Sequence, residues 1–190
     1  IIVSLVWIIR SQHDWIRSQE SASEVRISEV TEWLPNAFAL AQKSQPDGTK
    51  FILDEAGERI GFLAITSPTS DWIIGYSGPT TTLLVFDDSS TCLGAQIIKS
   101  GDTEDHVAKI IEEPDFLEIY NGKTWEEITR LRDIDAVTGA TLTSLAVNEG
   151  IIYRLAGEGP NLRFPDPITV KEVQSFFPDA ANLVAVSYTH

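Results

Sequence analysis

The densest chemistry in the chain lies in ten consecutive residues, Asp135-Ala136-Val137-Thr138-Gly139-Ala140-Thr141-Leu142-Thr143-Ser144. Four hydroxyls, on Thr138, Thr141, Thr143 and Ser144, surround a Gly-Ala step that feeds an apolar, helix-spaced stretch. Gly139 and Ala140 let a ligand come close to the backbone. The first turn of a helix leaves N–H groups unpaired, and the aligned peptide dipoles make that end positive. An anion site suited to phosphate results. The same residues also fit a plainer role, with Thr or Ser as N-cap and Gly as the turn before it. Helix physics alone favours the plainer role.

Elsewhere the chemistry is thin. No His/Asp/Glu group has metal-ligand spacing, and no Gly-x-Ser-x-Gly nucleophile turn occurs. Gly157-Glu158-Gly159-Pro160 reads as a helix stop, not a phosphate loop. His106 sits among acids, suited to proton transfer or to a plain surface helix. His13 and His190 lie near the ends. A single cysteine, Cys92, excludes an internal disulfide, a CxxC redox pair and a cysteine-ligated iron–sulfur cluster. Placed in a hairpin, it suits a small buried apolar role. Asp+Glu number 28 against Lys+Arg 14, a net charge of -14. Nucleic acid is therefore excluded as a partner, since phosphate backbones need clustered cations. Hydrophobic residues at 43% and charged residues at 22% over 190 residues exclude a disordered polymer and a polytopic membrane protein.

Several elements must position the run. Leu142 to Leu155 has apolar residues at 142, 145, 146, 152, 153 and 155, which predicts an amphipathic helix stopped by Gly157. Thr80 to Phe86 and Leu93 to Ile98 predict a hairpin around Asp87-Asp88-Ser89-Ser90; Phe51–Leu53 and Ile60–Ile65 predict another. Trp72 to Tyr76 reads as a short strand entering Ser77-Gly78-Pro79. Val25 to Leu34 has helical spacing ahead of Pro35; Asp102–Ile111 reads as a helix stopped by Pro114, and Trp125–Leu131 as a shorter one. Strands in hairpins with separate helices give an α+β class, an antiparallel sheet flanked by helices, with the 135–144 run at a helix N-terminus.

Residues 1–9 are apolar except Ser4, too few to span a bilayer alone, since spanning takes about 20. With the Ser/Gln/Glu-rich stretch that follows, they suggest 1–10 as the end of a truncated membrane anchor and 11–24 as a stalk. The absence of methionine fits a fragment or a processed chain. Residues 26–40 align without gaps to 169–183, with Glu29/Glu172, Val30/Val173, Pro35/Pro178, Ala37/Ala180 and Leu40/Leu183 identical. Residues 165–190 are thus expected to begin a second, truncated repeat.

The 135–144 run resembles the flavinylation motif of the FMN-binding domain family: an Asp, two spacers, Ser/Thr-Gly-Ala-Thr, one spacer, then Thr-Ser. That family includes covalent-flavin subunits of sodium-pumping quinone reductases and Rnf complexes, and extracytoplasmic domains of NosR/NirI-type membrane regulators. Gly75-Tyr76-Ser77-Gly78-Pro79 resembles the family's Gly-Tyr-x-Gly-Pro turn. Asp102-Thr103-Glu104 stands where the family has a Glu-Thr-Pro-like segment, without the Pro. Phe116-Leu117-x-x-Tyr120-x-Gly122-Lys123 resembles the connector to the motif.

The resemblance implies FMN joined to Thr141 by a phosphoester bond, made by a dedicated flavin transferase. It implies cofactor contacts from Thr138, Gly139, Ala140, Asp135, Thr143, Ser144, Gly75, Tyr76, Gly78, Thr103 and Leu117. The expected domain is then 25–164, membrane-anchored on the extracytoplasmic, periplasmic face. Its expected role is electron transfer with iron–sulfur or quinone partners. A NosR/NirI-type redox-sensing module and a flavin-free binding module of the same fold are the alternatives. The flavin would do the redox chemistry, so no catalytic acid or base is expected in the chain. Tyr76, Leu117, Tyr120 and Trp125 are expected to wall the ring, or else to pack the core. Asp102, Glu104 and Asp105 are expected to oppose extra negative charge on a reduced flavin.

Overall fold

In the computed structural model, residues 25–163 and 169–178 are described. Five strands, β1 (Ala39–Leu40), β2 (Lys50–Leu53), β3 (Arg59–Ile65), β4 (Thr80–Asp87) and β5 (Cys92–Ser100), form one sheet. They lie side by side in chain order, every neighbouring pair antiparallel. The helices are α1 (Glu104–Glu112), α2 (Pro114–Glu118), α3 (Trp125–Thr129), α4 (Thr141–Ala156) and α5 (Val170–Phe176). The fold is α+β, as the hairpin pattern implied.

The sheet is buried on both faces, and the strand sequences show why. Side chains alternate across a strand. Phe62 and Ala64 of β3, with Leu84 and Phe86 of β4, face the helices and meet Ile110, Phe116, Tyr120, Ile128, Val147 and Ile151. Leu63 and Ile65, with Leu83 and Val85, face the other way and meet Val25, Val30 and Ala37. Phe62 and Phe86 stack at 5.0 Å between ring centroids.

The segment covering that second face differs from its expected form. Within Val25–Leu34 there is one 3-10 turn, Ile27–Glu29, not an α-helix. The Glu29 carboxylate accepts from the Arg26 N–H at 2.8 Å, which closes the turn locally. Trp33 packs against β5, where a Cβ on Gly94 would stand 2.0 Å from the indole Nε1. Packing on the sheet overrides helical spacing here.

Three further differences have local causes. Trp72–Tyr76 is not a strand: its backbone closes turns instead, the Ile73 N–H donating to the Ser70 carbonyl at 2.9 Å and the Gly75 N–H to the Gly78 carbonyl at 3.0 Å. Pro114 does not merely stop α1; it opens α2 at a first-turn position, where a missing N–H costs nothing. The helix predicted from Leu142 is α4, but it is buried on most sides rather than amphipathic. Its buried polar groups are paired: Asn148 accepts from the Tyr120 hydroxyl at 2.9 Å, and Arg154 donates to the Ile65 carbonyl at 2.8 Å. Gly157 ends α4 at φ 74, as read from the sequence.

Residues 1–24, which include the expected anchor and stalk, lie outside the described residues, as do 164–168 and 179–190. Among the described residues no helix is long and apolar enough to cross a membrane. In the aligned segments, Glu172 accepts from the Thr169 N–H at 2.8 Å, the same contact that Glu29 makes with Arg26.

Candidate functional site

Three segments far apart in sequence meet at one side chain, Asp102. It follows β5 and lies one residue ahead of Thr103, the N-cap of α1. Its Oδ2 accepts from the Tyr76 N–H at 2.9 Å and from the Thr143 hydroxyl at 2.8 Å. Its Oδ1 accepts from the N–H groups of Ser77 and Thr103, both at 2.7 Å, and from the Ser77 hydroxyl at 3.1 Å. The Ser77 and Thr103 hydroxyls lie 3.0 Å apart. Asp102 thus ties the Gly75–Pro79 turn to the start of α1 and to the first turn of α4.

The glycines of that turn are required by space. A Cβ on Gly75 would lie 2.0 Å from Asp102 Oδ2 and 3.1 Å from Thr143 Cα. One on Gly78 would lie 2.1 Å from the Gly101 carbonyl oxygen. The turn is closed by the Gly75 N–H donating to the Gly78 carbonyl at 3.0 Å.

Burial alone would raise the Asp102 carboxyl, but the hydrogen bonds from Ser77, Thr103, Thr143 and Tyr76 outweigh it and hold the group below its ordinary value of 3.8. A carboxyl lowered on folding contributes stability above its unfolded value, lost as pH falls through the folded one. Asp102→Asn is therefore expected to melt below the wild type at pH 7. The gap should close as pH falls below about 4, where the wild type also loses its charge. A gap that stays constant into acid would show that the charge is not what ties the segments.

The 135–144 run folds as a turn leading into α4. The Ala140 N–H donates to the Val137 carbonyl at 2.9 Å, and Gly139 takes φ 75, a value that favours glycine. Ala140 is the N-cap and Thr141 the first residue of α4. The four hydroxyls divide cleanly. Ser144 is buried; its Oγ donates to the Ala140 carbonyl at 2.8 Å and accepts from the Val137 N–H at 3.1 Å. Thr143 is buried and committed to Asp102. Thr138 and Thr141 are exposed. No side chain caps α4, and its first turn holds no acid, so its leading N–H groups are open to an incoming anion.

Around this turn, Tyr76 is 63% exposed and meets the His106 ring edge-on at 4.7 Å. His106 Nδ1 is buried without a hydrogen-bond partner among the described residues. Asp135 and Thr138 line a cavity of about 590 Å3 with an apolar floor of Phe116, Ile119, Ile134 and Val137. Lys109 of α1 reaches the Gly139 carbonyl at 3.3 Å.

The structure thus gathers Gly75, Tyr76, Gly78, Thr103 and Thr143 around Asp102, beside Gly139, Ala140, Thr141 and Ser144. Leu117 packs against the core and lines a different cavity, with Trp33, Gly94 and Ile97. Tyr120 and Trp125 serve the core rather than a ring slot. Tyr120 is fully buried, and Trp125 leans on Phe62 and Phe86 while donating to the Leu155 carbonyl at 3.0 Å. Asp102, expected as a charge near a ring, is instead the knot of the site. Cys92 is buried, and burial pushes its thiol up to about 12, so it is no nucleophile. No group of His, Cys, Asp and Glu among the described residues could hold a metal ion.

Fold and site together define an α+β domain with a spaced-out helix end ready for an anion, next to an exposed aromatic. Residues 75–156 match the family model of the FMN-binding domain, a span that runs from the Gly75 turn to the end of α4. The match supports a flavin-binding module with FMN as its cofactor. No curated protein matches the chain.

Proposed function

We propose that the chain carries FMN as a phosphoester on Thr141 and serves electron transfer at the outer face of a membrane. The observation that carries this is the convergence on Asp102, which sets the Gly75–Pro79 turn against the first turn of α4, with Thr141 exposed beside it. The residues fit the group. Two exposed hydroxyls flank an uncapped helix end, where a phosphate is stabilised by N–H groups and the dipole. Tyr76 offers an exposed aromatic face, and His106 Nδ1 is an orphaned polar atom behind it.

Bound FMN supplies reversible electron uptake; the protein supplies tether, position and electrostatics. A flavin transferase, acting as partner, would make the bond: Thr141 Oγ1 attacks the flavin-bearing phosphorus of a flavin pyrophosphate donor and loses its proton, while the P–O bond to the donor's second phosphate breaks and that nucleoside monophosphate leaves. The covalent tether keeps the flavin at high effective concentration outside the cytoplasm, where free FMN is scarce. The apolar run at 1–9 and the polar stretch after it support an anchor (1–10) and a stalk (11–24). The electron partners would be iron–sulfur or quinone components. Sequence identity and the shared glutamate contact support reading 165–190 as the start of a second repeat. Within the family that the chain resembles, a NosR/NirI-like arrangement suits anchor, stalk and repeat together.

Co-expressed with a flavin transferase and exported, the protein is expected to fluoresce yellow-green on a denaturing gel. Without the transferase the band should be dark. A dark band in both cases would overturn the covalent reading.

A further inference from the structure

Lys109 sits in the last turn of α1, where a cation suits the negative end of that helix's dipole. Its ammonium does not stay there. It reaches across to donate to the Gly139 carbonyl at 3.3 Å, and a Cβ on Gly139 would stand 2.8 Å from Nζ. The ammonium therefore lies directly over the turn that precedes Thr141. The Gly139 carbonyl holds the exposed ammonium there, although the N-terminus of α4 that follows is itself positive. Nothing in the first turn of α4 offsets it, since that turn has neither an acid nor a side-chain cap. Asp105, Glu112 and Glu113 share or follow its helix and Asp135 lies in the facing loop. Even so, among the described residues no carboxylate forms an ion pair with Lys109. In a chain with 28 acidic residues against 14 basic ones, a cation held over a positive helix end marks a place for an anion.

We propose that Lys109 is the counter-cation of the flavin phosphate at this turn, an inference that rests on the flavin reading above. The ammonium and the leading N–H groups of α4 approach the phosphate from two sides. A lysine suits this as a compact point charge with three donors. Lys109 is thus a cofactor-binding residue that neither the resemblance nor the family match assigns.

The test uses the full 190-residue chain carrying Thr141→Ala, which cannot form the phosphoester. FMN and riboflavin, which lacks the phosphate, are titrated in by flavin-fluorescence quenching at low salt. The parent is expected to prefer FMN. Adding Lys109→Gln should weaken FMN about tenfold, the size of a charge-assisted contact, and leave riboflavin unchanged. Lys109→Arg should keep most of the preference, and matching thermal unfolding of all variants checks the fold. Equal FMN binding with and without Lys109→Gln would overturn the proposal. A parent that binds FMN and riboflavin alike would also overturn it while leaving a flavin site standing. A parent that binds neither would overturn this proposal, while gel fluorescence of the wild type made with the transferase tests the flavin reading by itself.

Discussion

Thr141→Ala is expected to remove all flavin from the denatured protein and to leave the fold intact. Both halves follow from where the four hydroxyls stand. The Thr141 hydroxyl is exposed and makes no hydrogen bond among the described residues, so its loss should cost no more than about 1 kcal/mol. Thr143→Ala differs, because it strips a buried donor from Asp102 at 2.8 Å and should cost about 1–3 kcal/mol. Ser144→Ala likewise breaks two backbone contacts at the entrance to α4. These three single variants thus separate the attachment oxygen from the oxygens that shape the turn. Gel fluorescence reads the first property and urea unfolding the second. A Thr141→Ala band that still fluoresces would place the bond elsewhere, with exposed Thr138 the next oxygen to test.

The largest loss of stability is expected at Glu149. This residue lies on α4 and is 3% exposed. Its carboxylate pairs with the Arg163 guanidinium and accepts from the Leu162 N–H at 3.0 Å. Arg163 in turn donates to the Ile74 carbonyl, the residue just before Gly75. One buried carboxylate therefore pins the chain after α4 and, through Arg163, the entry to the Gly75–Pro79 turn. Removing one partner of a buried pair leaves the other charge uncompensated, so Glu149→Ala should cost about 3 kcal/mol. Glu149→Gln should cost less, since its amide oxygen still accepts from Leu162. Urea midpoints at neutral pH measure both. A loss under about 1 kcal/mol would mean that Arg163 swings into solvent freely.

The short unbroken apolar runs Phe62–Ile65 and Leu83–Phe86, bounded by turn residues, made the central strands legible, because a strand covered on both faces is apolar at every position. The 135–144 run was legible through its composition: Gly139 needs its positive φ, and small residues before an apolar helix imply a tight entry. The knot at Asp102 was not legible. Its donors come from Tyr76 and Ser77, 26 and 25 residues upstream, and from Thr143, 41 residues downstream. No local pattern reports such partners, and an Asp ahead of a helix looks like any other first-turn acid. Tyr120 and Trp125 stood between two roles because an aromatic suits a ring slot and a core equally well; their contacts with Asn148 and Leu155 decide for the core. The 3-10 turn at Ile27–Glu29 escaped for a related reason. Helical spacing reports which residues are apolar, not whether the surface they cover is a helix groove or a flat sheet.

The most direct test of the central claim is peptide mapping of the exported protein made with a flavin transferase. Cleavage after Arg132 and Arg154 yields the peptide 133–154, which holds all four hydroxyls of the run. Fragmentation mass spectrometry is expected to find one FMN phosphoester on that peptide, at Thr141, with Thr138, Thr143 and Ser144 unmodified. A peptide 133–154 without FMN, or FMN on another residue, would contradict the account.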